Sequence, residues 1–95
     1  MGYYIEGPTH GKANHILNKH GGTLLPGKPE SFADIPDDMA LICVLNNGPF
    51  EAAGLCYDER EFEAFSEPSD PRPKLWMLLP KKIAYELADY NPGPK

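Results

Sequence analysis

No stretch of this 95-residue sequence approaches the roughly 18 consecutive apolar residues of a membrane-spanning helix, so neither a transmembrane segment nor a membrane partner is expected. The opening Met1-Gly-Tyr-Tyr-Ile-Glu6 has neither the basic nor the apolar region of a secretory signal, and Glu6 stands where a myristoylation motif wants Ser or Thr. The expected localisation is cytoplasmic. Cysteine is scarce: Cys43 and Cys56 are the only two, too few for a disulfide framework, and both read as reduced, buried thiols. Neither Cys-x-x-Cys nor His-Glu-x-x-His occurs. His10, His15 and His20 are five apart, which on a helix turns successive side chains about 140° from one another and keeps them from converging as ligands. No metal and no cofactor is therefore expected. A nucleophilic serine turn and a recognisable Cys-His pairing are also missing, so nothing points to an enzyme. Bases are missing from the middle of the chain. From Glu30 to Asp70 eleven acids face Arg60 alone, whereas the two ends carry eight bases and three acids, within a net charge of −5. Such a balance disfavours nucleic acid as a partner, even with Arg72, Lys74, Lys81 and Lys82 forming a modest basic patch.

What the sequence does contain is a packed core. Hydrophobic residues make up 41% of it, and its eleven prolines fall mostly between the candidate elements, where they mark loops. The organising stretch is Ala40 to Tyr57, two β-rich runs around Asn46-Asn47-Gly48-Pro49, with Asn-Gly as the hairpin signal. Pairing Leu45 with Phe50 puts Leu41, Cys43, Leu45, Phe50, Ala52, Gly54 and Cys56 on one face, with Cys43 opposite Ala52. Ala40, Ile42, Val44, Glu51, Ala53, Leu55 and Tyr57 take the other. Glu51 alone is charged, so the hairpin is expected to be central and covered on both sides, by helices where Ala52, Ala53 and Gly54 allow close approach.

Around it, Gly2 to Glu6 reads as a short strand, Thr9 to His20 as a helix capped by Thr9 and stopped at Gly21-Gly22, and Thr23 to Leu25 as a second strand. Pro26 to Met39 is an irregular connection with one helical turn opened by Ser31, carrying Phe32 and Ile35 inward. Asp58 caps a further helix, with Glu61 at the capping-box position and Tyr57 and Phe62 at staple spacing; Phe62 and Phe65 face the core and Pro68 ends it. A polar, proline-rich loop to Pro73 leads into the strand Lys74 to Leu79, where Trp76 reads as core. Pro80 opens a last helix with Ile83, Leu87 and Tyr90 on one face. The expected fold is α+β, a single small domain over 1–90 with about five mainly antiparallel strands, a central hairpin and three helices, followed by a flexible tail at 91–95.

Two weak sites stand out. Gly7-Pro8-Thr9-His10-Gly11-Lys12-Ala13 has the setting of a phosphate loop but misses its spacing, and Ala13 replaces the metal-binding hydroxyl, which leaves anion binding by Thr9, His10 and Lys12 at the helix start. Glu59, Glu63 and Glu67 form an acidic strip suited to a basic protein partner. The segments Asn47-Gly-Pro-Phe-Glu-Ala-Ala53, Tyr57-Asp-Glu-Arg-Glu-Phe-Glu-Ala-Phe65 and Asp70-Pro-Arg-Pro-Lys-Leu-Trp76 resemble small bacteriophage-encoded proteins without assigned activity, over roughly residues 31–90. That resemblance transfers no functional residues and implies an accessory protein acting on a host protein. The expected function is thus a small cytoplasmic protein-binding module; the alternative is a small-molecule or anion-binding protein, or minor enzyme, at the start of the first helix.

Overall fold

The structure, a computed structural model, describes residues 3–65 and 74–91. It is an α+β domain whose five-stranded sheet is antiparallel throughout. The strands are β1 (Tyr3–Tyr4), β2 (Thr23–Leu24), β3 (Met39–Asn47), β4 (Phe50–Cys56) and β5 (Lys74–Pro80), in the spatial order β1-β4-β3-β5-β2. Helices α1 (Lys12–His20), α2 (Glu59–Phe65) and α3 (Lys81–Leu87) pack on it, with one 3-10 turn at Phe32–Asp34. Glu67, Pro68, the loop to Pro73 with its Arg72, and the tail residues 92–95 lie outside the described residues.

The hairpin β3–β4 sits at the centre with the two faces expected of it. Its register is different. Asn47 pairs with Phe50 and Leu45 with Ala52, so Cys43 lies opposite Gly54 and the connection shrinks to Gly48-Pro49. In a turn centred on Asn47-Gly48 the fourth residue would be Pro49, which has no N–H to close it. The turn instead centres on Gly48-Pro49: Gly48 takes a positive φ of 71° and Pro49 follows with the negative φ its ring imposes, the sign pattern of a type II′ turn. The shift is two residues, one full pleat period, and every side chain keeps its face.

Both faces are dry. Ile42, Val44, Ala53, Leu55, Met77 and Leu79 are buried under α1, through Ala13 and Ile16, and under α3, through Ala84 and then Ala88. Leu41, Cys43, Leu45, Cys56 and Trp76 form the opposite cluster with Phe62 of α2, and Leu25, Phe32, Ile35 and Phe65 pack against it. Trp76 is core, 6% exposed. Burial of the Phe62 side chain alone is worth about 2–3 kcal/mol.

Local signals explain α2 and the 3-10 turn. Asp58 Oδ1 accepts from the Glu61 N–H at 2.9 Å, and Ser31 Oγ accepts from the Ala33 N–H at 3.2 Å. Tyr57 packs against the cluster on the α1 side while Phe62 belongs to the one on the α2 side. Helix α1 starts later than Thr9. Gly11 takes φ 75°, a left-handed conformation that separates Thr9 from the helix, and as the N-cap residue it has no side chain to offer. The Thr9 carbonyl instead accepts from the Glu51 N–H at 2.7 Å, extending the ladder at the edge of β4. The deeply buried positions are Ala84 in α3 and Ala88 at its C-cap, small enough to seat the helix close on the sheet. Tyr85, Leu87 and Tyr90 flank them, and Ile83 is half-buried. Among the described residues no helix is long and apolar enough to cross a membrane.

Candidate functional site

The anion expected at the start of α1 is already present, and it belongs to the protein. Glu51, the one charged residue of the hairpin, reaches from β4 so that its Oε1 accepts from the Ala13 N–H at 2.9 Å. A carboxylate there satisfies an otherwise unpaired helix donor and the positive end of the helix dipole. Lys12 is turned inward, 8% exposed, its Nζ donating to the Ile5 carbonyl at 3.1 Å. His10 is exposed, with Nδ1 2.8 Å from the Pro49 carbonyl; a carbonyl only accepts, so Nδ1 carries the proton. Thr9 is exposed and contributes its backbone. Thr9 and His10 thus tie the loop before α1 to the hairpin, Lys12 ties α1 to the residue after β1, and an external anion would compete with Glu51 for the helix start.

The histidines behave differently from their spacing on an ideal helix. His15 and His20 lie edge to face with ring centroids 5.3 Å apart, because His20 is the last helical residue, next to Gly21 at φ 74°. Burial, then the charges of His15 and Lys19, hold the His20 pKa below its ordinary value. No cluster of three or more metal-ligating side chains occurs among the described residues. Cys43 and Cys56 are buried and not joined in a disulfide, two positions apart across the β3–β4 ladder. Burial first, then the charges of Cys43, Glu61 and Asp58, pushes the Cys56 thiol up, so it is protonated and a poor nucleophile at neutral pH.

Charge is sorted by layer. The segment from Lys28 to Asp38 and helix α2 lie on the same face of the sheet, joined by Phe32 and Phe62, whose ring centroids are 6.0 Å apart. Together with the α2 cap they carry Glu30, Asp34, Asp37, Asp38, Asp58, Glu59, Glu61 and Glu63, against two bases, Lys28 and Arg60. Seven of these carboxylates are exposed and Glu61 is buried. No ion pair joins any of them to a described base. Lys28 is directed elsewhere, its Nζ 5.0 Å from the centre of the Phe62 ring. Helices α1 and α3 on the other face carry Lys12, Lys19, Lys81 and Lys82 against Glu86, with Asp89 just beyond. Glu59 and Glu63 are one helical turn apart and solvent-facing, as their spacing predicts, while Glu67 lies outside the described residues.

At one end of the sheet, where β3 begins and β4 ends, the two layers leave a cleft of about 370 Å³. Phe32, Ile35 and Asp37 line it from the acidic layer, Tyr57 from the end of β4, and Lys81 and Tyr85 from α3. Beside it Tyr3, Tyr57, Tyr85 and Tyr90 interlock, with ring centroids 4.7–5.1 Å apart in the contacting pairs. Burial, then the carboxylates of Glu61 and Asp58, raises the Tyr57 pKa, and burial with the neighbouring tyrosines and Asp58 does the same for Tyr90. These phenols stay neutral donors set in a negative field. Sequence patterning did not bring them together, because they come from β1, the residue after β4, α3 and the turn beyond α3.

No family model, curated protein or solved structure matches this chain significantly.

Proposed function

We propose that this protein is a non-enzymatic binding module that docks a basic segment of a protein partner on its acidic layer. The observation that carries this reading is the sorting of charge between the layers: eight carboxylates, none paired with a described base, share one face of the sheet with two bases. Carboxylates left unneutralised inside the fold repel one another and lower stability slightly, an effect a basic partner relieves while being steered to the surface. The resemblance of the middle and end of the chain to phage-encoded accessory proteins adds a setting, a cytoplasmic protein acting on a protein of the bacterial host.

Capture from bacterial lysate by the tagged protein, beside the double variant Glu59→Lys/Glu63→Lys, tests it. A partner retained at low salt, weakened at higher salt and lost in the variant is expected, since exposed charges act within a Debye length of about 10 Å at 0.1 M salt. A folded bait that captures the same proteins before and after charge reversal rules the reading out.

A further inference from the structure

We propose that the cleft at the end of the sheet is the anchor of this acidic layer and takes one arginine side chain of the partner, its guanidinium against the rings of Tyr57 and Tyr85 and paired with Asp37. This rests on the protein-binding reading and adds to it the partner residue the surface is shaped to hold.

The cleft has the dimensions for such a side chain. Its volume of about 370 Å³ exceeds the roughly 300 Å³ at which ligand clefts begin, and Phe32, Ile35 and Met39 give it apolar lining. Three aromatic rings, Phe32, Tyr57 and Tyr85, come from three different elements to line it, and Asp37 stands exposed at its rim. An apolar wall, aromatic faces and a carboxylate describe the three parts of an arginine in order. The methylene stem lies along the wall, the planar cation stacks on a ring, and the fork of donors pairs with a carboxylate. A lysine ammonium is more strongly hydrated and gains less from the rings. An acid would meet the carboxylate of Asp37, with Asp38 the next residue along the chain.

One group in the cleft opposes a cation, and it makes the proposal sharper. Lys81 lines the α3 side, held there by its backbone N–H, which donates to the Asp38 carbonyl at 2.9 Å. If the occupant is an arginine, removing the Lys81 charge tightens binding and removing the Asp37 charge weakens it. An anionic occupant reverses both signs.

The test is a nitrogen-15 NMR titration of the whole protein with N-acetyl-argininamide, whose blocked ends leave the side chain as its only charge. N-acetyl-citrullinamide, nearly isosteric and neutral, is the control. The expected result is saturable shifts at the amides of Ala33, Met39, Tyr57 and Lys81, with a Kd in the millimolar range fitting a single side chain, and no saturation with the citrulline compound. Asp37→Asn, at an exposed position, weakens binding by about threefold to fivefold, and Lys81→Gln strengthens it by about twofold. Equal response to both compounds, shifts away from the cleft, no saturation by about 50 mM, or weaker binding by the Lys81→Gln variant each overturn the proposal. The two readings fail separately. No arginine binding, with partner capture still lost in Glu59→Lys/Glu63→Lys, removes the cleft as the anchor and leaves the acidic layer standing. Arginine binding with no captured partner keeps the arginine site and removes the protein-binding reading.

Discussion

Replacing Gly54 by alanine tests how α2 is held against the sheet. Gly54 lies in β4 on the α2 face, opposite Cys43, and an added methyl carbon there would sit 2.5 Å from Phe65 Cζ and 3.2 Å from its Cε1. Such a separation is far inside van der Waals contact, so the ring at the end of α2 must swing away. The backbone at Gly54 is not in the left-handed region, and alanine itself fits the strand. Two terms then compete. Overpacking against the ring costs about 1–3 kcal/mol. Against it, alanine restricts the unfolded chain and recovers about 0.5–1 kcal/mol. The expected net is a loss of about 1–2 kcal/mol, or roughly 1 M in the urea midpoint for a chain this size. Phe65→Leu removes the ring, and in that background Gly54→Ala becomes neutral or stabilising, so the double-mutant cycle yields a coupling of at least about 1 kcal/mol. A Gly54→Ala protein as stable as the parent, or a coupling near zero, refutes the claim that Phe65 sets the size of residue 54.

Three further outcomes are expected. Glu51→Ala removes the carboxylate from the α1 start and lowers stability by about 1–2 kcal/mol in urea unfolding, while Glu51→Gln, which keeps an acceptor, loses about half as much; a Glu51→Gln protein as stable as the parent would mean the charge does nothing there. Asp58→Ala costs about 1 kcal/mol through loss of the α2 cap and Asp58→Asn much less, and indifference to both would remove Asp58 from that role. Tyr57 and Tyr90 keep their protons in the fold to higher pH than in the unfolded chain, where tyrosine ionises near 10. Their contribution is therefore complete below about pH 10 and lost as pH rises beyond it, so unfolding midpoints at pH 9 and 11 diverge less when both are phenylalanine; an unchanged divergence contradicts the shift.

The sequence by itself determined the elements whose causes lie within a few residues. Period-two alternation across Ala40 to Tyr57 assigned both faces of the hairpin correctly, since a shift of two residues in register leaves faces unchanged. Asp58, Ser31 and Gly21 each mark a helix boundary through their own side chain or backbone freedom. Where a neighbour three-dimensionally near but distant in sequence competes, the local signal fails. Thr9 has the chemistry of a cap, yet Gly11 and the pairing of its carbonyl with β4 place it outside α1. The hairpin turn centres on Gly48-Pro49 because Pro49 has no N–H with which to close a turn centred on Asn47-Gly48.

Only the tertiary structure decided the strand order, which no local preference encodes, and with it every feature of the candidate site. The acidic middle of the chain is visible in composition, but it becomes a layer only because the Lys28 to Asp38 segment and α2 pack on the same face across some twenty intervening residues. Glu51 meets the start of α1, and Tyr57 meets Tyr85 and Tyr90, through the closure of a sheet whose partners lie tens of residues apart. Pairings of that kind depend on which apolar faces bury one another best. That is a property of the whole chain and of no single stretch of it.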